Sequence, residues 1–403
     1  MISDRAKQWQ SHDPFLVKAH FACADDPFDP GTNPDGYVNF GTAENKMVFD
    51  VLKPLLQKHI RIKEPDTHYN QLHGAQFFRE AIAEFLGRRA GRNLSPNNIT
   101  VASGASAILE MLSFAVCDPG DAILIPTPYY SGFDHDLALR SAARLIPVSL
   151  AGPDFTLSIS AITRSLHESR AEGGSVRTLL INSPQNPLGY IVDDDLLNEL
   201  IALADSENIH LIIDEIYAES LLPGNTLNSV LSHKNAVYSM VYGFAKDFGL
   251  SGYKVGIHYS EDEDIVQTMQ NTSYFHTVSM ETQRTLTGVL NDPGLEVFLD
   301  TMRLRLSKRY RTTVEILTSC GVPHTTVQGG IVLWLGLRRL LQSPTFDAER
   351  NLYRNIFSMC RVNISPGQAF HCVEPGWFRL CFTMPEKIHN EGMRRLTGYF
   401  ADI

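Results

Sequence analysis

Along the chain, apolar residues switch between two spacings. "FFREAIAEFLGRR" sets Phe78, Ile82, Phe85 and Leu86 on one face at helical intervals. "NITVAS" reads as a short strand, and "SAILEMLSFAV" returns to helix. "DAILIP", "RTLLIN", "HLIIDE" and "NAVYSMVYG" are strand-like runs, apolar at successive positions. The helical run "DDLLNELIALADSEN" separates the second of these from the third. Strands without a polar face, alternating with helices, predict a mostly parallel sheet covered on both sides. This block spans residues 51–290. Beyond it the pattern changes. The long charged helical stretch "LEVFLDTMRLRLSKRYRTTVEILTSC" precedes the strand-like "GGIVLWLGL", "RVNISPG" and "WFRLCFTMP". Residues 291–403 are therefore expected to form a smaller α+β domain.

Composition narrows the picture. At 403 residues the chain exceeds what one core usually serves, which agrees with two domains. Its 43% hydrophobic and 20% charged residues are ordinary for a soluble globular protein. The net charge of -10 and the lack of a basic block argue against a nucleic-acid partner. The six cysteines (Cys23, Cys117, Cys320, Cys360, Cys372 and Cys381) contain no CxxC pair. That argues against a disulfide framework or a metal site and for a reducing compartment, with cytoplasmic localisation expected. The N-terminal "MISDRAKQWQSHDPF" lacks the apolar core of a signal peptide. No apolar run reaches the roughly 18 residues of a membrane span.

Candidate chemistry collects where strands end, since open parallel sheets bind ligands beyond the carboxyl ends of their strands. In "VYGFAKDFGLSGYKVGIHYS" a lone lysine, Lys246, follows an apolar strand and leads into Gly249, Gly252 and Gly256. Lysine is rarely buried without a purpose. "ITVASGAS" ends in Ser103, Gly104, Ala105 and Ser106 before a helix. This is either an anion cradle of backbone N–H groups or a plain strand-to-helix turn. "LLINSPQNPLG", with Asn182, Asn186 and Pro187, is by itself a turn. "LIIDEIYAES" sets Asp214, Glu215 and Tyr217 after an apolar run, where a carboxylate either caps a helix or faces a ligand. Together the four suit pyridoxal phosphate. Its phosphate needs the cradle, its ring nitrogen needs an acid, and its aldehyde needs an amine. A lysine kept from water has a lowered pKa, and its neutral amine is a nucleophile.

From about residue 30 to 400 the chain resembles fold-type-I pyridoxal-phosphate enzymes of the class I/II aminotransferase superfamily. The motifs are "GTAENK", "YNQLHGAQFFREAIAEF", "IPTPYYSGFDHDL", "NSPQNPLG", "DEIY", "AKDFGLSGYKVG" and "SPGQAFHCVEPGWFRLCF". The third and last are most similar to the 1-aminocyclopropane-1-carboxylate (ACC) synthase branch. The resemblance implies the type I fold of this superfamily: an α/β large domain on a mostly parallel, seven-stranded sheet, and a small α+β domain. It also implies that residues 1–50 join the C-terminal domain, and that two chains form a homodimer with shared active sites.

Carried over position by position, the resemblance implies that Lys246 is the Schiff-base lysine and proton shuttle, and that Asp214 partners the ring nitrogen. Asn186 and Tyr217 resemble donors to the cofactor's phenolic oxygen. Tyr130 resembles the ring stacked on the cofactor, with Tyr129 the weaker candidate and core packing the alternative for Tyr130. Gly104, Ala105 and Ser106 resemble the phosphate cradle. Arg379 resembles the fork for the substrate carboxylate, the alternative being a surface ion pair. Glu44 resembles a substrate-pocket glutamate, or else it is a helix-start carboxylate. Tyr69 resembles a tyrosine that reaches the partner's phosphate.

Four positions depart from the family. Gly243 and Ala245 replace serines before the lysine, Lys254 replaces an arginine, and Leu72 replaces a tyrosine. A lysine keeps the charge but loses the two-pronged fork. Restoring both groups, by Gly243→Ser with Lys254→Arg, is expected to tighten cofactor binding. The substrate is expected to be a small-molecule α-amino acid. γ-Elimination with ring closure, or γ-replacement, on S-adenosylmethionine or a similar substrate leads. Transamination to a 2-oxo acid and carbon–sulfur β-elimination are the alternatives.

Overall fold

The computed structural model describes residues 1–4, 6–7, 15–150, 155–234 and 236–401. Most of the N-terminal stretch read above for a signal peptide lies outside them. The chain divides into two compact units, residues 44–308 with 326–331, and residues 1–43 with 309–325 and 332–403.

The larger unit is built on seven strands. They are β1 (Ile99–Ala102), β2 (Ala122–Thr127), β3 (Arg144–Ser149), β4 (Val176–Asn182), β5 (His210–Asp214), β6 (Tyr238–Gly243) and β7 (Gly256–Tyr259). Across the sheet the order is β1-β7-β6-β5-β4-β2-β3. Every neighbouring pair is parallel except the two made by β7, which runs against both β6 and β1. The expected mostly parallel seven-stranded sheet is therefore present. β2, β5 and β6 are buried at every position, as strands apolar on both faces must be when helices cover both sides.

Local chemistry sets the helix ends. The helix Asp194–Glu207 starts where the Asp193 carboxylate accepts from the Leu196 N–H at 2.9 Å, and stops at left-handed Asn208. The helix Gln76–Ala90 stops at Gly91, whose φ of +64° suits glycine. The helix Ala105–Val116 starts at Gly104 with no side-chain cap. Among the described residues no helix is long and apolar enough to cross a membrane.

The smaller unit carries an antiparallel sheet in the order Ser365–Pro366, Trp377–Cys381, Val332–Gly336. Val38–Asn39 pairs in parallel with Val362–Asn363. Trp334, fully buried, stacks on Trp377 with ring centroids 6.1 Å apart. The buried Glu349 carboxylate accepts from the Gln368 and Gly376 N–H groups at 2.8 and 2.6 Å, which ties the connections around that sheet together.

Candidate active site

Sheet register assembles the site. Asn182 ends β4 beside Asp214 at the end of β5, and Asp214 is in turn opposite Val241 in β6. Two strands therefore deliver polar groups to one edge, with apolar residues behind them, and Lys246 follows the third. The Asn182 amide donates to the Asp214 carbonyl at 2.9 Å, and its side-chain oxygen accepts from the Asn186 N–H at 2.8 Å. The Asn186 amide nitrogen reaches the Tyr217 hydroxyl at 3.4 Å. Asn186 and Tyr217 are both buried, so a pair of donors is fixed side by side.

Asp214 is buried, and its carboxylate accepts from the Ile216 N–H at 3.1 Å. Burial pushes its carboxyl up to about 7, the Ile216 bond and Lys246 pull it back, and Asp136 pushes further. A carboxylate so desolvated suits a cationic ring N–H, which would supply a counter-charge that burial withholds. Lys246 follows β6, is half-buried, and acts electrostatically on both Asp214 and Asp136.

The cradle is shaped by close backbone approach. Gly104 has φ +102°. A Cβ on Gly256 would lie 2.3 Å from the Gly104 carbonyl carbon and 2.5 Å from the Ala105 nitrogen, so β7 must carry glycine there. The first backbone N–H groups of the helix that starts at Ala105 lack partners within the helix, as at any helix start. The Lys254 stem runs beside Gly104, whose added Cβ would meet it at 3.9 Å. The uncapped helix start, the flanking lysine and the Ser106 hydroxyl fit a phosphate.

Asp136, in the turn Asp134–Leu139, was not singled out by the sequence, although "GFDHDL" contains it. Ser106 Oγ donates to Asp136 Oδ2 at 3.0 Å. Burial raises the Asp136 carboxyl to about 6 against the lowering effects of Ser106, Lys254 and Lys246. The two tyrosines before it separate. Tyr129 is buried, and its hydroxyl donates to Asp134 at 2.9 Å. Tyr130 is half-buried and meets Phe133 edge to face at 5.3 Å.

Behind the site lies a second feature the sequence left unread. Asp247, next to Lys246, accepts from Ser220 Oγ at 2.6 Å, the Glu219 N–H at 2.9 Å and the Tyr242 hydroxyl at 3.0 Å. Glu215, next to Asp214, pairs with Arg89 at 3.0 Å. In both pairs the first residue belongs to the site and the second anchors its loop.

Gly243 corrects an expectation. A Cβ there would lie 2.7 Å from the Val255 carbonyl oxygen and 3.2 Å from Ile216 Cδ1. The strand leaves no room for the serine that the resemblance implies at this point, so Gly243→Ser would strain the backbone before it could reach a phosphate.

Three further residues named from the sequence have surroundings of their own. Glu44, half-buried, pairs with Lys46 at 3.1 Å. Tyr69 is fully exposed, at 103%. Arg379 belongs to the smaller unit, where it is buried, donates to the Gly41 carbonyl at 2.5 Å and lies 4.6 Å over the Phe370 ring.

Residues 36–396 match the sequence profile of the class I and II aminotransferases. The chain belongs to that family and is a pyridoxal-phosphate-dependent enzyme. Among curated relatives it is similar to ACC synthase 1 of Cucurbita pepo, at 34% identity over 94% of this chain and 81% of the relative. It is similar also to ACC synthase 6 of Arabidopsis thaliana, at 33% identity over 95% and 82%. Among solved structures, an aspartate aminotransferase of Thermus thermophilus shares the fold, with TM-score 0.82, 20% identity and 99% coverage of both chains.

Proposed function

We propose that this enzyme acts on S-adenosylmethionine or a similar α-amino acid that carries a leaving group at Cγ. The observation that carries the reading is the 33–35% identity to ACC synthases over most of the chain, beside an intact Lys246, Asp214 and Arg379. The cofactor supplies an electron sink for the Cα carbanion. Lys246 would hold the cofactor through its amine, and its free amine would take the proton from the substrate's Cα. Asp214 keeps the ring nitrogen protonated. Asn186 and Tyr217 would donate to the cofactor's ring oxygen, and Tyr130 would supply an aromatic face to its ring. Gly104, Ala105, Ser106 and Lys254 hold the phosphate. Arg379 holds the substrate carboxylate with its planar fork, and Glu44 lines the substrate pocket. The chain works as a homodimer in which Tyr69 reaches the partner's phosphate. Its scattered thiols support the cytoplasm as its compartment.

Incubation with S-adenosylmethionine should release methylthioadenosine, by ring closure or by replacement at Cγ, with products identified by mass spectrometry. A 2-oxo acid as the product would indicate transamination, and pyruvate with ammonia would indicate β-elimination. Either outcome overturns the reading. Borohydride should fix the cofactor to the peptide containing Lys246, and labelling at another lysine would reassign the site.

A further inference from the structure

Ser106 has one hydroxyl proton, and the chain spends it on a carboxylate of its own. Ser106 Oγ donates to Asp136 Oδ2 at 3.0 Å. Lys254, whose stem lies along Gly104, and Lys246 both act on the same carboxyl. The cradle therefore already contains an anion, beside the groups that would receive a phosphate. We propose that Asp136 is a positioning residue for the cofactor's phosphate: it takes up one proton when the phosphate binds and so turns the Ser106 hydroxyl toward the ligand.

The chemistry balances simply. Ionised Asp136 accepts the Ser106 hydrogen bond, so this pair turns only oxygen lone pairs toward a phosphate dianion, which repels them. A proton from solvent on Asp136 reverses the bond. Asp136 then donates to Ser106 Oγ, and Ser106 donates its own proton to the phosphate. No bond to carbon or phosphorus changes. This inference rests on the cofactor reading above.

Of the charged groups around Asp136, Asp214 is also lifted by burial, to about 7, but only Asp136 shares a hydrogen bond with the cradle's Ser106. On the helix Ala105–Val116, Glu110 is held by Arg140 at 3.2 Å and His276 at 3.1 Å. In its own turn, Asp134 takes the Tyr129 hydroxyl. Lys246 and Lys254 favour the charged form of Asp136, and the neighbouring Asp214 opposes it. Burial already lifts the carboxyl to about 6, and a nearby dianion lifts it further.

The test uses cofactor-free whole protein and reads binding. At pH 8 a phosphate monoester is already largely a dianion, so its own titration contributes little. Calorimetry in two buffers of different ionisation enthalpy should count about one more proton taken up with pyridoxal phosphate than with pyridoxal, which lacks the phosphate. Asp136→Asn should remove that difference. It should also bind pyridoxal phosphate more tightly at pH 8, by up to about 100-fold, because pH 8 lies about two pH units above a carboxyl that titrates near 6. At pH 5 the two forms should bind alike. Equal proton uptake for the two ligands by the unaltered protein overturns the inference without any variant. So does an Asp136→Asn form that folds and binds no more tightly at pH 8. If neither ligand binds, the cofactor reading falls and takes this inference with it; if both bind with equal uptake, this inference falls alone.

Discussion

Asp214 shows how burial and function pull against one another. With its carboxyl lifted from 3.8 to about 7, the native state holds a proton that the unfolded chain has released. The carboxylate's cost to stability is thus absent below pH 4, grows as pH rises, and is complete above pH 7. A climb of that size corresponds to roughly 4 kcal/mol between protonation states, an upper bound after relaxation. Asp214→Asn should therefore raise the melting temperature of the cofactor-free protein at pH 8 and leave it nearly unchanged at pH 4. The same change should abolish most turnover, because a neutral amide cannot hold the ring nitrogen protonated. Thermal scans at the two pH values, with and without cofactor, check both. Equal gains at pH 4 and pH 8 would mean that packing, not charge, sets the effect.

At the neighbouring departures the structure separates two substitutions that the sequence joined. Lys254→Arg restores a fork beside Gly104 without touching the strand, and should tighten pyridoxal-phosphate binding by about tenfold, one charge-assisted hydrogen bond's worth. Gly243→Ser should instead lower stability, because its Cβ meets the Val255 carbonyl at 2.7 Å. Cofactor titrations and urea melts of the two single variants distinguish these effects.

Among elements, the strands that were easy to read are the ones that hold the site. β2, β4, β5 and β6 are apolar runs bounded by turn residues; Asn182 and Asp214, the polar last residues of β4 and β5, mark the ligand edge, and Lys246 follows β6. Two strands had weaker signals. β3 lies at the sheet edge, contains Pro147 and is largely exposed, so it lacks the fully apolar signature. β7 has only four residues, "GIHY", directly after a glycine-rich loop. Asp136 was hidden for another reason. Its turn supplies a functional carboxyl through a fold back onto the helix Ala105–Val116, a contact no local spacing reports. The Arg89 pairing with Glu215 spans 126 positions and was equally unreadable.

β7 also offers a test at this scale. Gly256 pairs with Gly243 and Ala102 and lets the Gly104 backbone come within contact distance. Gly256→Ala would drive a methyl group into backbone atoms that cannot rotate away. It should cost about 3 kcal/mol or more and also empty the cradle. Chemical denaturation together with cofactor content should fall in parallel. Full cofactor retention in a destabilised variant would place the strain away from the cradle.

At the scale of the whole molecule the open question is how many chains make a working enzyme. Tyr69 is fully exposed in the single chain, between the turn Glu64–Thr67 and Gly74. Other large apolar side chains are exposed as well, including Ile62 at 76%, Tyr274 at 64% and Phe275 at 77%. Soluble chains seldom leave large contiguous apolar patches uncovered, and a second copy would account for such exposure. If Tyr69 completes the partner's phosphate site, the two halves of one active site come from different chains. A Lys246→Ala chain then lacks the amine in its own site but still lends an intact Tyr69. A Tyr69→Ala chain keeps its amine but cannot complete its partner. Each variant alone should be almost inactive. Mixed and allowed to exchange, they should form hybrids in which one of the two sites has both groups. Random pairing makes half the dimers hybrid, and each hybrid has one good site, so recovery should approach about one quarter of unaltered activity. Sedimentation should show a dimer in all three preparations. Recovery that stays at the sum of the two variants, with dimers present and exchanging, would confine Tyr69 to its own chain and each site to a single copy.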